Sequence, residues 1–126
     1  MQTMHRGKLA FTLVEIMNVV AIIGLLAGLA IPNLLKARAR AQTKVCIDNL
    51  RIIDTAKQQW ALEHRAAPNS TPATSDIQPY MGRNTTGILP TCPADSFQTF
   101  ATSYAINDVG TAPSCLIDTN HVLGAP

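Results

Sequence analysis

The chain has 126 residues, 47% of them hydrophobic and 14% charged, with a formal net charge of +2 and three cysteines. That length admits one folded domain at most, and the lack of a CxxC pair gives little support to a zinc or thioredoxin-like centre. The net charge hides a dipole: the stretch Lys36–Arg65 carries +4, whereas the residues from Ala66 onward carry −3.

Met1–Ala10 is a short, mostly polar leader that holds Arg6 and Lys8. An apolar run of 21 residues, Phe11–Ile31, follows it and stops at Pro32. About 20 helical residues cross a bilayer core, so the run has the length of one span. Its polar members are Thr12, Glu15 and Asn18, all near the N-terminal end. A bare carboxylate in hydrocarbon costs several kcal/mol, so Glu15 is expected to face a partner. A removed secretory signal is the competing reading, but its apolar core is usually about 7–15 residues. The present run is longer, carries an acid near its start and continues into a helical pattern. Gly24 and Gly28 share a helix face and permit close approach of another helix. Together with Pro32 they make a segment of low helix propensity, although Pro32 need not end the helix.

The segment 32–65 is expected to be an amphipathic stem helix. Cys46, Leu50, Ile53 and Trp60 recur at helical spacing, Ala56 and Lys57 filling the gap before Trp60, which is the expected anchor of the core beneath them. Lys44–Asp48 and Asp54–Lys57 are candidate charge pairs on this helix. The basic side chains read as a solvated helix face, because no aromatic residues interleave them as a nucleic-acid stacking platform would require. Nucleic acid is therefore an unlikely partner.

Residues 66–126 form a small head. Ala66–Thr74 breaks the helix with Pro68 and Pro72. Asp76–Met81 suggests one helical turn capped by Ser75 or Asp76. Gly82–Thr86 reads as a loop and Gly87–Pro93 as extended or a turn. Phe97–Ala101, Ser103–Ile106, Cys115–Ile117 and His121–Leu123 are candidate short strands, with a turn at Asn107–Gly110. Only 61 residues remain after the stem, too few to bury a core alone, so the head is expected to pack on the stem helix. The fold class is α+β: a long N-terminal helix, membrane-spanning in its first half and amphipathic in its second, against a head with short strands.

No catalytic signature is present: the chain has no GxSxG, phosphate loop or HExxH, so no enzyme activity, cofactor or metal is expected. Asp95, Asp108 and Asp118 read as solvated loop acids. A Cys92–Cys115 disulfide is the favoured pairing, which implies an exported head. Cys46 is then either a buried thiol or the partner of one of the others.

The junction Ala10-Phe11-Thr12-Leu13-Val14-Glu15, followed by the apolar run and Pro32, resembles the N-terminus of type IV pilins and type II secretion pseudopilins. The resemblance covers Lys8 to about Pro32 and extends along the helix to Arg65. Ala10 stands where that family most often has glycine, and Asn18 where it usually has an apolar residue. The resemblance implies cleavage between Ala10 and Phe11 by a prepilin peptidase that also methylates the new Phe11 amine. It implies a single-pass inner-membrane protein with its N-terminus cytoplasmic and its head periplasmic. The count of basic residues flanking the span gives the opposite orientation, and the resemblance outranks it. The chain would meet membrane lipid first and an inner-membrane assembly platform next. It would then join a homo-oligomeric filament through Phe11, Glu15, Gly24, Gly28 and Pro32, with Glu15 pairing with a Phe11 amine. The expected function is a structural filament subunit, with a type II secretion pseudopilin favoured by the small head. A type IV pilin for adhesion, motility or DNA uptake is the alternative. A membrane-anchored extracytoplasmic binding module is the rival of another class.

Overall fold

A computed structural model describes residues 10–82 and 89–124. Residues 1–9 of the leader lie outside the described residues, as do 83–86 of the expected loop at 82–86 and 87–88 of the segment 87–93 expected as extended or a turn. The chain divides into two compact units, one ending at Arg38 and the other beginning at Ala39. A single helix, α1, runs Leu13–His64 over 52 residues. It is long and apolar enough in its N-terminal part to cross a membrane.

Local chemistry sets both ends of α1. The Thr12 hydroxyl accepts a hydrogen bond from the Glu15 backbone N–H at 3.2 Å, which satisfies one of the donors left open in a helix's first turn. At the other end Arg65 takes a left-handed conformation, φ +49°. The Ala66 N–H then returns to the Ala61 carbonyl at 2.9 Å. That six-to-one bond is the Schellman ending, and Pro68 prevents resumption of the helix. Pro32 lies inside α1 without ending it.

In the unit that begins at Ala39, α1 buries Cys46, Leu50, Ile53, Ala56, Lys57 and Ala61. The stripe therefore takes in Ala56 and Lys57, as expected, but ends on Ala61 instead of Trp60. One residue is about 100° of helix, which puts Trp60 at the stripe's edge. Trp60 is half-buried and stacks on His64 with ring centroids 5.2 Å apart. The core is centred on Leu50, Ile53 and Ile77, all fully buried, with Phe100 and Tyr104 packed beside them.

The head that covers this stripe is mostly loop. Helix α2 spans Thr74–Ile77 and a 3-10 turn spans Gln78–Tyr80. Ala73, not Ser75 or Asp76, occupies the cap position; Asp76 instead accepts from the Ala73 N–H at 2.9 Å. Phe100–Ser103 is a helical turn, α3, where a strand was expected; Thr99 caps it by accepting from the Thr102 N–H. The β-type residues there are overridden by this cap and by burial of Phe100. Strand β1, Tyr104–Ala105, pairs antiparallel with β2, Ser114–Cys115. The register is Tyr104↔Cys115 and Ala105↔Ser114. His121–Leu123 forms no strand. The turn between β1 and β2 closes one residue later than expected, through the Thr111 N–H to the Asp108 carbonyl at 3.2 Å.

Two buried polar side chains hold the loops. Lys57 Nζ donates to the Ile106 carbonyl at 3.2 Å and to the Thr111 carbonyl, tying α1 to both sides of the β1–β2 loop. Asp54 stands 3.7 Å from the same ammonium. Burial lowers the Lys57 pKa, and Asp54 partly offsets this. Asp95 is not the solvated loop acid expected from sequence: it is 3% exposed. Its carboxylate accepts from the Thr102 and Ser103 hydroxyls and the Phe97 N–H, which hold it below the usual carboxylate range. On the outer face of α1, Asp48 pairs with Arg51 at 2.9 Å, where Lys44 had been expected.

Candidate functional site

The N-terminal unit presents a helix surface that is apolar on all sides. Phe11, Leu13, Val14, Ile16, Met17, Val20 and their successors through Leu35 are exposed. A helix hydrophobic all round is either in lipid or buried among other helices. Glu15 sits exposed in its first turn. Thr12-Leu13-Val14-Glu15 has the spacing of a capping box, a local signal that sequence reasoning missed. The hydroxyl half of that box is present.

Gly24 and Gly28 lie within α1. A Cβ built at either would meet nothing within 4 Å. Their small size therefore relieves no contact among the described residues. Ala10 is exposed immediately before Phe11, which is 78% exposed.

The structure brings Cys92 and Cys115 together, but as free thiols whose sulfurs are 3.9 Å apart. A disulfide requires about 2.05 Å, so the favoured disulfide is not formed here. Cys46, on α1, is buried with them. Burial is the main cause of the raised Cys46 thiol pKa, partly offset by a hydrogen bond with the Tyr104 hydroxyl. That hydroxyl also accepts from Asn49 Nδ2 at 3.0 Å, and burial raises the Tyr104 pKa as well. His121 completes the group, as one of four buried residues whose ligand atoms lie within 4.8 Å of one another. Sequence reasoning missed His121 because Cys46 and His121 are 75 positions apart.

A long, lipid-compatible N-terminal helix whose second half packs on a small α+β head is a pilin-like architecture. Within that class the chain is similar to type IV pilins and to type II secretion core proteins. The chain is 47% identical over 53 residues to a type IV major pilin protein of Myxococcus xanthus, covering 42% of this chain and 24% of that protein. It is 37% identical over 65 residues to a fimbrial protein of Pseudomonas aeruginosa, covering 52% of this chain and 42% of that one. It is 33% identical over 66 residues to a type II secretion system core protein G of the same species, covering 52% of this chain and 46% of the relative. The chain thus spans between a quarter and just under half of the length of these curated relatives. No family model matches the chain, and no solved structure does.

Proposed function

We propose that the chain is a structural subunit of an extracytoplasmic helical filament, assembled through its N-terminal helix. The observation that carries this reading is the junction at Phe11–Glu15: one carboxylate at the head of a helix exposed and apolar on every side. Lipid can hold such a helix but offers Glu15 no cation within the hydrocarbon. A neighbouring subunit's Phe11 amine does, once the leader is removed. An amine and a carboxylate in a low-dielectric core each require an opposite charge, and pairing them across subunits fixes the axial register. Gly24 and Gly28, whose small size serves no contact among the described residues, would let neighbouring helices approach closely. Cleavage between Ala10 and Phe11 by a prepilin peptidase, methylation of Phe11, and extraction by an inner-membrane platform follow from the same reading.

Within the family a type II secretion pseudopilin is the preferred assignment, because the head after α1 is small. The type IV pilin reading is favoured by the 47% identity to a major pilin. Deletion of the gene separates the two. A pseudopilin's loss leaves exported enzymes trapped in the periplasm, with surface fibres unchanged. A pilin's loss removes surface fibres and leaves enzyme secretion intact. If neither changes and the protein is recovered as a monomer in the membrane, the filament reading fails and the membrane-anchored binding module replaces it.

A further inference from the structure

Four side chains from four separate segments converge in the head. Cys46 comes from α1, Cys92 from the loop before α3, Cys115 from β2 and His121 from the C-terminal loop. Cys46 and Cys92 are fully buried, Cys115 is 7% exposed and His121 4%. Their ligand atoms all lie within 4.8 Å of one another. A tetrahedral zinc ion with Zn–S bonds of about 2.3 Å places its ligand atoms roughly 3.8 Å apart, and the Cys92 and Cys115 sulfurs are at 3.9 Å.

The histidine supplies an independent observation. His121 Nδ1 is a buried side-chain atom with no hydrogen-bond partner among the described residues. The other ring nitrogen, Nε2, lies 3.1 Å from Thr43 Oγ1. That hydroxyl donates its own proton to the Ala39 carbonyl at 3.1 Å, so it can only accept from the ring. Nε2 therefore carries the hydrogen and Nδ1 the bare lone pair, the tautomer a metal requires. Asp118 Oδ2, 3.7 Å from Nε2, reinforces the same orientation. Metal-bound histidines are held this way, with the far N–H given to an oxygen. The Tyr104 hydroxyl, hydrogen-bonded to Cys46, would donate to a thiolate there.

We propose that Cys46, Cys92, Cys115 and His121 form a structural zinc site. Three sulfurs and one imidazole nitrogen in a closed tetrahedral set suit Zn²⁺, which is redox-inert and leaves no open coordination position in such a site. Binding releases the three thiol protons to solvent, and His121 enters neutral through Nδ1. The ion would tie α1 to β2 and to two loops of a head that is otherwise short of core. The site accounts for the odd third cysteine, which a single disulfide leaves over. The proposal is independent of the filament reading, since all four residues lie in the unit that begins at Ala39.

The test uses the full chain, purified in detergent under reducing conditions. Elemental analysis is expected to give one zinc per chain. Cobalt(II) added to the metal-stripped protein should produce visible ligand-field bands of tetrahedral intensity and a thiolate charge-transfer band. Stripping should lower the thermal midpoint, and stoichiometric zinc should restore it. Thr43→Val, which removes only the oxygen that orients His121, should weaken zinc affinity by roughly 10–100-fold. His121→Cys should retain cobalt with a stronger charge-transfer band. Absence of stoichiometric zinc or cobalt binding by the reduced protein would overturn the proposal. So would a Cys92–Cys115 disulfide in protein purified without reductant from its native membrane, or a His121→Ala protein with an unchanged cobalt spectrum.

Discussion

Glu15→Val should leave the protein in the membrane fraction at its normal level and abolish filaments. Valine is compatible with lipid and tolerated in a helix, so insertion and α1 itself survive. The Thr12 cap is retained, because it uses the backbone N–H of residue 15 and not its side chain. What is lost is the carboxylate that, in the proposed assembly, compensates a neighbour's Phe11 amine. Removing one partner of a buried pair leaves the other charge uncompensated, at about 3–5 kcal/mol per contact. A filament repeats that penalty at every subunit, so the effect on assembly is nearly all-or-none. Glu15→Asp keeps the charge on a shorter arm and should assemble with reduced yield. Thr12→Ala gives the complementary control: loss of a helix cap costs about 1 kcal/mol and should weaken assembly without eliminating it. Electron microscopy of sheared filaments beside immunoblots of membrane fractions reads all three. Normal filaments from the valine variant would remove Glu15 from the assembly contact.

Lys57→Met should destabilise the head by about 2–4 kcal/mol. The lysine is fully buried, and its ammonium donates to the Ile106 and Thr111 carbonyls. Methionine fills nearly the same space, so little cavity forms, but two carbonyls lose their donor. Leaving a buried acceptor without its donor costs about 1–3 kcal/mol, and these two carbonyls, whose bonds are part-buried, lie toward the lower end of that range. Relief of the lysine's own desolvation offsets part of that loss. Lys57→Ala adds a cavity and should cost more. Urea unfolding followed by Trp60 fluorescence measures both, since Trp60 lies at the edge of the same core. A methionine variant as stable as the parent would show that these carbonyls are satisfied by water and that Lys57 does not hold the loop. The β1–β2 loop is where the damage should concentrate, with faster amide exchange in the pairing of Tyr104 with Cys115.

The long helix was legible because its signals are local and repeated: an unbroken apolar run, then alanines and a stripe starting at Cys46. The burial of Leu50 and Ile53 followed from spacing alone. Ala56 and Lys57 fell on the same stripe, and only its far end was misplaced by one residue, on Trp60 instead of Ala61. What spacing could not show is the tertiary contact of Lys57 with the loop carbonyls, which accounts for a fully buried lysine there. The head was less legible for the same reason. Its strands are two residues each, too short to show alternation. Asp95 looked solvated because the Thr102 and Ser103 hydroxyls that surround it become neighbours only through α3. The Cys46, Cys92, Cys115 and His121 cluster was invisible to motif spacing, since its members come from four segments. The signal that could have found it was the uneven cysteine count together with a histidine six positions after Cys115.

The N-terminal junction remains the centre of the functional reading, because the partner assigned to Glu15 does not exist until the chain is cut. Intact-mass measurement of the protein from purified filaments, with fragmentation of its N-terminus, tests this directly. The expected species begins at Phe11 with one methyl group on its amine. A chain that still carries Met1–Ala10, or begins elsewhere, would contradict both the pairing and the mode of assembly built on it.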